Sequence, residues 1–151
     1  MAKRIAIFPG SFDPFTKGHE DIVQRGSSFF DEVIIAIGVN SEKKRHYSIE
    51  VMTEKITETF RDNDSVRVES YEGLTAHLAK KLGASHILRG LRNTTDFEYE
   101  NAIAQGNKHL FPGLETVFLI TTPSLAYISS SITREIHKHG GDVSEFLPYS
   151  L

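Results

Sequence analysis

Residues Glu32–Gly38 read Glu-Val-Ile-Ile-Ala-Ile-Gly. A strand with one wet face alternates apolar and polar residues, whereas a short unbroken β-branched run marks a strand covered on both faces. Such strands belong to parallel sheets, and parallel neighbours must be joined by crossovers, usually helices. The remaining chain supplies that alternation. Arg4 to Phe8 reads as a short buried strand, and Gly18 to about Phe29 as a helix with apolar members Ile22, Val23 and Phe29. Ser48 is a plausible N-cap for a helix to Phe60, with Ile49, Met52, Ile56 and Phe60 at helical spacing. Ser65 to Ser70 alternates as a half-buried or edge strand does, and Thr75 to Leu82 is a short helix stopped by Gly83. Then follow a strand at His86 to Leu88, a helix over Asp96 to Phe111 with Phe97, Ala102, Ile103 and Leu110 among its apolar positions, and a strand at Glu115 to Ile120. A last helix, capped by Ser129 or Ser130, runs to His139, and a short segment, Val143 to Leu147, closes the chain. Five strands alternating with five helices predict a mainly parallel sheet with helices on both faces.

The chain's 151 residues are the size of one ordinary domain, and 39% apolar residues suffice for a core. No run of eighteen apolar residues occurs, so no transmembrane helix is expected. Ile5 to Phe8 is too short for a signal-peptide core, and a cytoplasmic protein is expected. The absence of cysteine excludes disulfides, thiolate zinc sites and cysteine nucleophiles. A net charge of −3 argues against a nonspecific nucleic-acid binder, so any anion site must come from local clusters.

Four such clusters fall just after strands, where open α/β sheets bind ligands. The first is Gly10 to His19, Gly-Ser-Phe-Asp-Pro-Phe-Thr-Lys-Gly-His. Pro9-Gly10 makes a tight turn, Ser11 offers a hydroxyl and an N–H, and Asp13-Pro14 stiffens the loop. Gly18 admits a ligand close to the backbone, and His19 sits in a helix's first turn, where free N–H groups favour an anion. The second is Asn40 to His46, where Lys43 or Lys44 is a candidate phosphate contact. In the third, Arg89-Gly-Leu-Arg92, two arginines suit multidentate phosphate binding, or else pair with Asp96 and Glu98 as surface salt bridges. The fourth, Ile128 to Arg134, begins a helix with Ser129, Ser130 and Ser131. Neither G-x-G-x-x-G nor the P-loop pattern is present, which weakens dehydrogenase and classical NTPase readings. The histidines are too scattered for a metal site, and no G-x-S-x-G elbow occurs.

Thr16-Lys-Gly-His19, within the Gly10–His19 segment, resembles the T/H-x-G-H signature of the nucleotidyltransferase superfamily. Within that superfamily the chain is similar to the bacterial phosphopantetheine adenylyltransferases, through Leu88 to Asn93, Asp96 to Glu100, Asn107 to Leu110, Ile128 to Ser131 and Gly141 to Val143. The resemblance implies a single Rossmann-like α/β domain over residues 1–151, with a five-stranded parallel sheet. It implies transfer of AMP from ATP to 4′-phosphopantetheine, giving dephospho-coenzyme A and pyrophosphate, with magnesium and a homohexamer. Carried over by position, Ser11 would contact both substrates. Phe12, His19, Gly90, Leu91, Arg92, Glu100 and the stretch Leu125, Ala126, Tyr127, Ile128, Ser129, Ser130 and Ser131 would contact ATP. Lys43, Thr75 and Arg89 would contact the pantetheine substrate, and His19, Lys43 and Arg92 would be catalytic. Three positions depart from the pattern: Arg45 stands where proline is frequent, Thr75 where a larger apolar side chain is familiar, and Leu125 where an aromatic is common.

The attacking phosphate in that chemistry is already ionised, so no general base is needed. His19 would stabilise the α-phosphate in the transition state, Lys43 and Arg89 orient the nucleophile, and Arg92 and the serine-capped helix take the β- and γ-phosphates. Two other readings keep the superfamily: a different phosphorylated acceptor, or a non-catalytic nucleotide sensor. The sensor would need a decayed signature, yet Ser11, His19, Lys43, Arg89 and Arg92 are all present.

Overall fold

The computed structural model describes residues 2–151. Strands β1 (Ile5–Gly10), β2 (Glu32–Gly38), β3 (Val66–Tyr71), β4 (His86–Leu91) and β5 (Glu115–Ile120) alternate with helices α1 (Lys17–Gly26), α2 (Ile49–Thr59), α3 (Thr75–Leu82), α4 (Thr94–Leu110) and α5 (Ser130–Lys138). Short 3-10 turns occupy Pro123–Leu125 and Ser144–Phe146. The sheet is parallel throughout, in the order β3-β2-β1-β4-β5. The chain winds outward from β1 through β2 to β3, then crosses back to β4 and β5. Strand order therefore reverses between β1 and β4, and a crevice opens at their carboxyl ends.

Val33 to Ile37 are fully buried, as the uninterrupted apolar run requires. Alternate residues serve opposite faces. Ala6, Phe8, Val33, Ile35 and Ile37 join Ile22 and Val23 of α1 and Met52 and Ile56 of α2 in the larger core. Ile7, Ala36 and Ile87 pack against Ala76 and Ala79 of α3 in a smaller one. Ser48 caps α2 by accepting the Val51 N–H at 3.1 Å, and Gly83, at φ 70°, ends α3. β3 is an edge strand, as its alternation suggested.

Four expectations shift. β1 runs to Gly10, not Phe8, so Pro9-Gly10 continues the strand beside Ala36 and Ile37 of β2 and makes no tight turn. α1 ends at Gly26, so Phe29 lies past the helix and is 53% exposed, while Phe30 fills the core. β4 runs to Leu91, not Leu88, because Arg89 to Leu91 pair with Phe118 to Ile120 of β5. On α4 the apolar residues Phe97, Ile103 and Leu110 are exposed, and Glu100 is the helix's buried residue. Among the described residues no helix is long and apolar enough to cross a membrane.

Ile35 pairs beside Phe8 and Val68 in the middle of the sheet and is fully buried. Ile35→Ala is expected to cost about 2–5 kcal/mol in urea unfolding. Ile120→Ala, at a side chain 76% exposed, should cost less than about 0.5 kcal/mol. Equal costs would contradict the placement of the core.

Candidate active site

The Gly10–His19 loop leaves β1 at the reversal of strand order. A Cβ on Gly10 would sit 2.9 Å from Phe12 Cζ, so the glycine makes room for the Phe12 ring. Phe12 itself holds φ 45°, a left-handed conformation that costs a bulky residue about 1–3 kcal/mol. The surroundings hold it there. Arg45 Nη1 donates to the Ser11 carbonyl at 2.6 Å and Nη2 to the Phe12 carbonyl at 3.0 Å. Arg134 donates to the Asp13 carbonyl at 2.7 Å, Ser130 to Pro14 at 2.8 Å, and Tyr149 to Phe15 at 2.6 Å. Five consecutive carbonyls thus accept bonds from side chains outside the loop. The Asp13 carboxylate accepts the His46 and Tyr47 N–H groups at 2.9 and 2.7 Å, which joins the loop to the segment after β2.

Thr16 precedes α1, and His19 is the third residue of the helix. His19 Nδ1 accepts the Thr16 N–H at 2.9 Å and lies 3.2 Å from Thr16 Oγ1. An acceptor at Nδ1 leaves the proton of the neutral ring on Nε2. The ring is walled by Phe12 at 5.0 Å and Phe15 at 5.3 Å between centroids. Burial, with help from the Arg89 and Arg92 charges, pushes its pKa from 6.5 down to about 3. His19 is therefore a neutral hydrogen-bond donor near pH 7.

Two cavities flank the loop. The first, of about 260 Å³, is lined by Thr16, Gly18 and His19 on one side, by Arg89, Gly90 and Arg92 on another, and by Ile128 to Ser131. The second, of about 310 Å³, is lined by Gly10 and Ser11, by Tyr71 and Thr75, and by the apolar α4 residues Tyr99, Ile103 and Ala104. Arg89 and Glu100 line both. Arg89 Nε and Nη2 bind the Glu100 carboxylate at 2.9 and 2.5 Å, and Nη1 donates to the Pro9 carbonyl. Arg92 pairs with Asp96 through Nε and Nη2 at 3.1 and 3.2 Å. Burial alone would raise the Asp96 pKa, but the hydrogen bonds and charge of Arg92 outweigh it and hold the carboxyl below its ordinary range. Gly90 is constrained by packing, since a Cβ there would meet Ile22 Cγ1 at 2.9 Å.

The first cavity thus gathers His19, Gly90, Arg92, Ile128, Ser129, Ser130 and Ser131, with Arg89 and Glu100 at its wall. Ser129 Oγ caps α5 by accepting the Ile132 N–H at 3.1 Å. Ser11 and Thr75 line the second cavity, and Thr75 Oγ1 lies 2.9 Å from the Tyr71 hydroxyl. Other expected contacts lie elsewhere. The Phe12 side chain is buried in the core, which leaves only its backbone to meet a ligand. Leu91 lines neither cavity; its carbonyl accepts the Thr121 N–H at 2.8 Å as β4 ends. Leu125, Ala126 and Tyr127 also line neither, because the turn begun at Pro123 carries them outside and Tyr127 packs on Phe146. Lys43 is exposed on the loop after β2, outside both cavities. The arginines pair with Asp96 and Glu100, not Glu98. Arg45 and Arg134 fall within the second and fourth clusters, but the sequence assigned neither a role, and Tyr149 was outside every cluster. Nothing local marks Tyr149, which reaches its acceptor across 134 positions.

The carboxylates in the first cavity, Asp96 and Glu100, are both committed to arginines. Among the described residues no group of three or more His, Asp or Glu could hold a metal. This donor set does not fit a resident divalent ion, which needs several unshared oxygen ligands.

Residues 7–136 match the cytidylyltransferase-like family model. A phosphopantetheine adenylyltransferase of Cytophaga hutchinsonii is 62% identical over 98% of this chain and 99% of its own. This chain belongs to the phosphopantetheine adenylyltransferase family of nucleotidyltransferases. A second member, from Flavobacterium psychrophilum, is 58% identical over 98% of this chain and 97% of its own. Among solved structures, a bifunctional NMN adenylyltransferase/ADP ribose pyrophosphatase from Francisella tularensis superposes with a TM-score of 0.75 at 16% identity, over 98% of this chain and 46% of that one. That likeness concerns the fold, a single Rossmann-like α/β unit.

The neutral state of His19 has two consequences. In an NMR titration its ring resonances should stay constant between about pH 5 and 8, where an ordinary histidine titrates. Between 6.5 and about 3, the unfolded chain binds a proton that folded His19 refuses, so stability must fall as pH falls through that window. A His19 midpoint near 6.5 would contradict the assignment.

Proposed function

We propose that this chain transfers AMP from ATP to 4′-phosphopantetheine, giving dephospho-coenzyme A and pyrophosphate, the penultimate step of coenzyme A synthesis. The observation that carries this reading is the pair of cavities meeting at Arg89 and Glu100. The first has the groups a triphosphate needs: the His19 imidazole, Arg92 and the amino end of α5. The N–H groups in the first turn of a helix have no intrahelical acceptor, and those of Ser130 and Ser131 suit the β- and γ-phosphates. The second has an apolar wall on α4 suited to a pantetheine arm.

The acceptor's phosphate, already an anion, attacks the α-phosphorus in line. One P–O bond forms as the bond to pyrophosphate breaks, and no proton need move. Bringing two anions together makes positioning and charge stabilisation the main tasks. His19 Nε2–H donates to an α-phosphate oxygen as charge builds there. Arg89 orients the attacking phosphate and Ser11 lies at the side from which it arrives; Lys43, which lies outside both cavities, would have to swing in from the loop after β2 to share that task. Magnesium enters with ATP as part of the substrate, because the two carboxylates of the first cavity are paired with arginines. The exposed apolar residues of α4, Phe97 and Leu110 among them, support burial against further copies, in keeping with a homohexamer. Both substrates of this reaction are expected in the cytoplasm.

Incubation with magnesium, ATP and 4′-phosphopantetheine should yield dephospho-coenzyme A and pyrophosphate, and nicotinamide mononucleotide should not replace the acceptor. His19→Ala should lower kcat by about 10²–10³ while ATP binding survives. No dephospho-coenzyme A from the wild-type protein would overturn the reading, and an unchanged kcat would remove His19 from the mechanism.

A further inference from the structure

Arg45, the position where the family pattern often has proline, uses all three guanidinium nitrogens on backbone oxygens. Nε donates to the Tyr47 carbonyl at 2.8 Å, Nη1 to Ser11 at 2.6 Å and Nη2 to Phe12 at 3.0 Å. The planar fork of arginine suits two carbonyls on successive peptide units; a lysine ammonium holds its three donors on one nitrogen and lacks that spread. In a trans peptide the C=O and the following N–H point in opposite directions. Drawing the Ser11 and Phe12 carbonyls toward Arg45 therefore turns the Phe12 and Asp13 N–H groups away from it and fixes Phe12 at φ 45°.

Phe12 stands between the two halves of the site. Ser11, on one side of it in sequence, lines the second cavity, and Thr16, Gly18 and His19, on the other, line the first. Its ring also meets the His19 ring edge-on at 5.0 Å. The backbone at 11 and 12 thus sets how far Ser11 stands from the His19 imidazole, and a strained φ at Phe12 will relax unless it is held. We propose that Arg45 is a positioning residue for adenylyl transfer, fixing the Ser11–Phe12 backbone so that the acceptor side and the α-phosphate side of the site are in register. The role rests on the transfer reading above. It predicts that each substrate still binds without Arg45, while the step that needs both correctly placed slows.

Arg45→Met keeps the aliphatic stem and removes the donors; Arg45→Lys keeps the charge on a single donor nitrogen. Calorimetric titration with magnesium–ATP and with 4′-phosphopantetheine gives, for each variant, the affinity and the number of competent sites. Turnover is then expressed per competent site, so that loss of folded protein cannot imitate the effect. Arg45→Met should keep both affinities within about threefold of the wild type. Its kcat per competent site should fall roughly ten- to hundredfold, with Arg45→Lys between the two. Turnover per competent site equal to wild type, or a fall matched by lost binding sites, would overturn the role. Wild-type protein that makes no dephospho-coenzyme A would sink the transfer reading itself, and this role with it.

Discussion

Glu100 is a carboxylate only 7% exposed, the buried residue of α4, and its place is set by Arg89. A charge that deep must be paired, and removing one partner of such a pair costs about 3–5 kcal/mol. The pairing is bidentate, and the third nitrogen of Arg89 reaches the Pro9 carbonyl. One guanidinium thereby ties α4, β4 and the end of β1 together where strand order reverses. It also forms the wall shared by both cavities, so what fixes the crevice sets the separation of the two cavities.

The signature loop is held by a complementary device. Its five carbonyls from Ser11 to Phe15 face donors on Arg45, Arg134, Ser130 and Tyr149. Those donors come from the segment after β2, from α5 and from the chain's last residues, so three distant stretches close on one loop. Among them Ser130 has a double part, since it lines the first cavity and also anchors Pro14. The loop enters α1 with His19 bonded back to Thr16, and the imidazole is thereby oriented before any ligand arrives. Preorganised donors need little reorganisation during reaction, which is where such sites gain most of their rate.

Much of this was legible in the residues. The Val33–Ile37 run required a doubly covered strand, and the βα alternation followed from it. Arg89, Arg92 and the serines could be placed because they lie at or just beyond the carboxyl ends of strands. What failed depended on contacts between distant residues. The apolar pattern of α1 extends to Phe29, but the helix stops at Gly26 and Phe30 is the residue that packs. Periodicity on α4 shows apolar positions without showing that Phe97, Ile103 and Leu110 stay exposed while Glu100 is buried. Leu125 to Tyr127 lie close in sequence to Ser129, yet a turn at Pro123 keeps them out of the cavity. Arg45 looked like one more basic residue in a charged loop, because its acceptors lie 33 and 34 positions earlier.

The central claim is direct transfer: both substrates lie in adjoining cavities, and His19 stabilises charge without ever carrying the adenylyl group. The stereochemical course at the α-phosphorus tests it most directly. With ATP made chiral by sulfur and oxygen isotope at that phosphorus, a single in-line displacement predicts inversion of configuration in the dephospho-coenzyme A formed. Retention would mean two displacements through a covalent adenylyl-enzyme and would contradict the account.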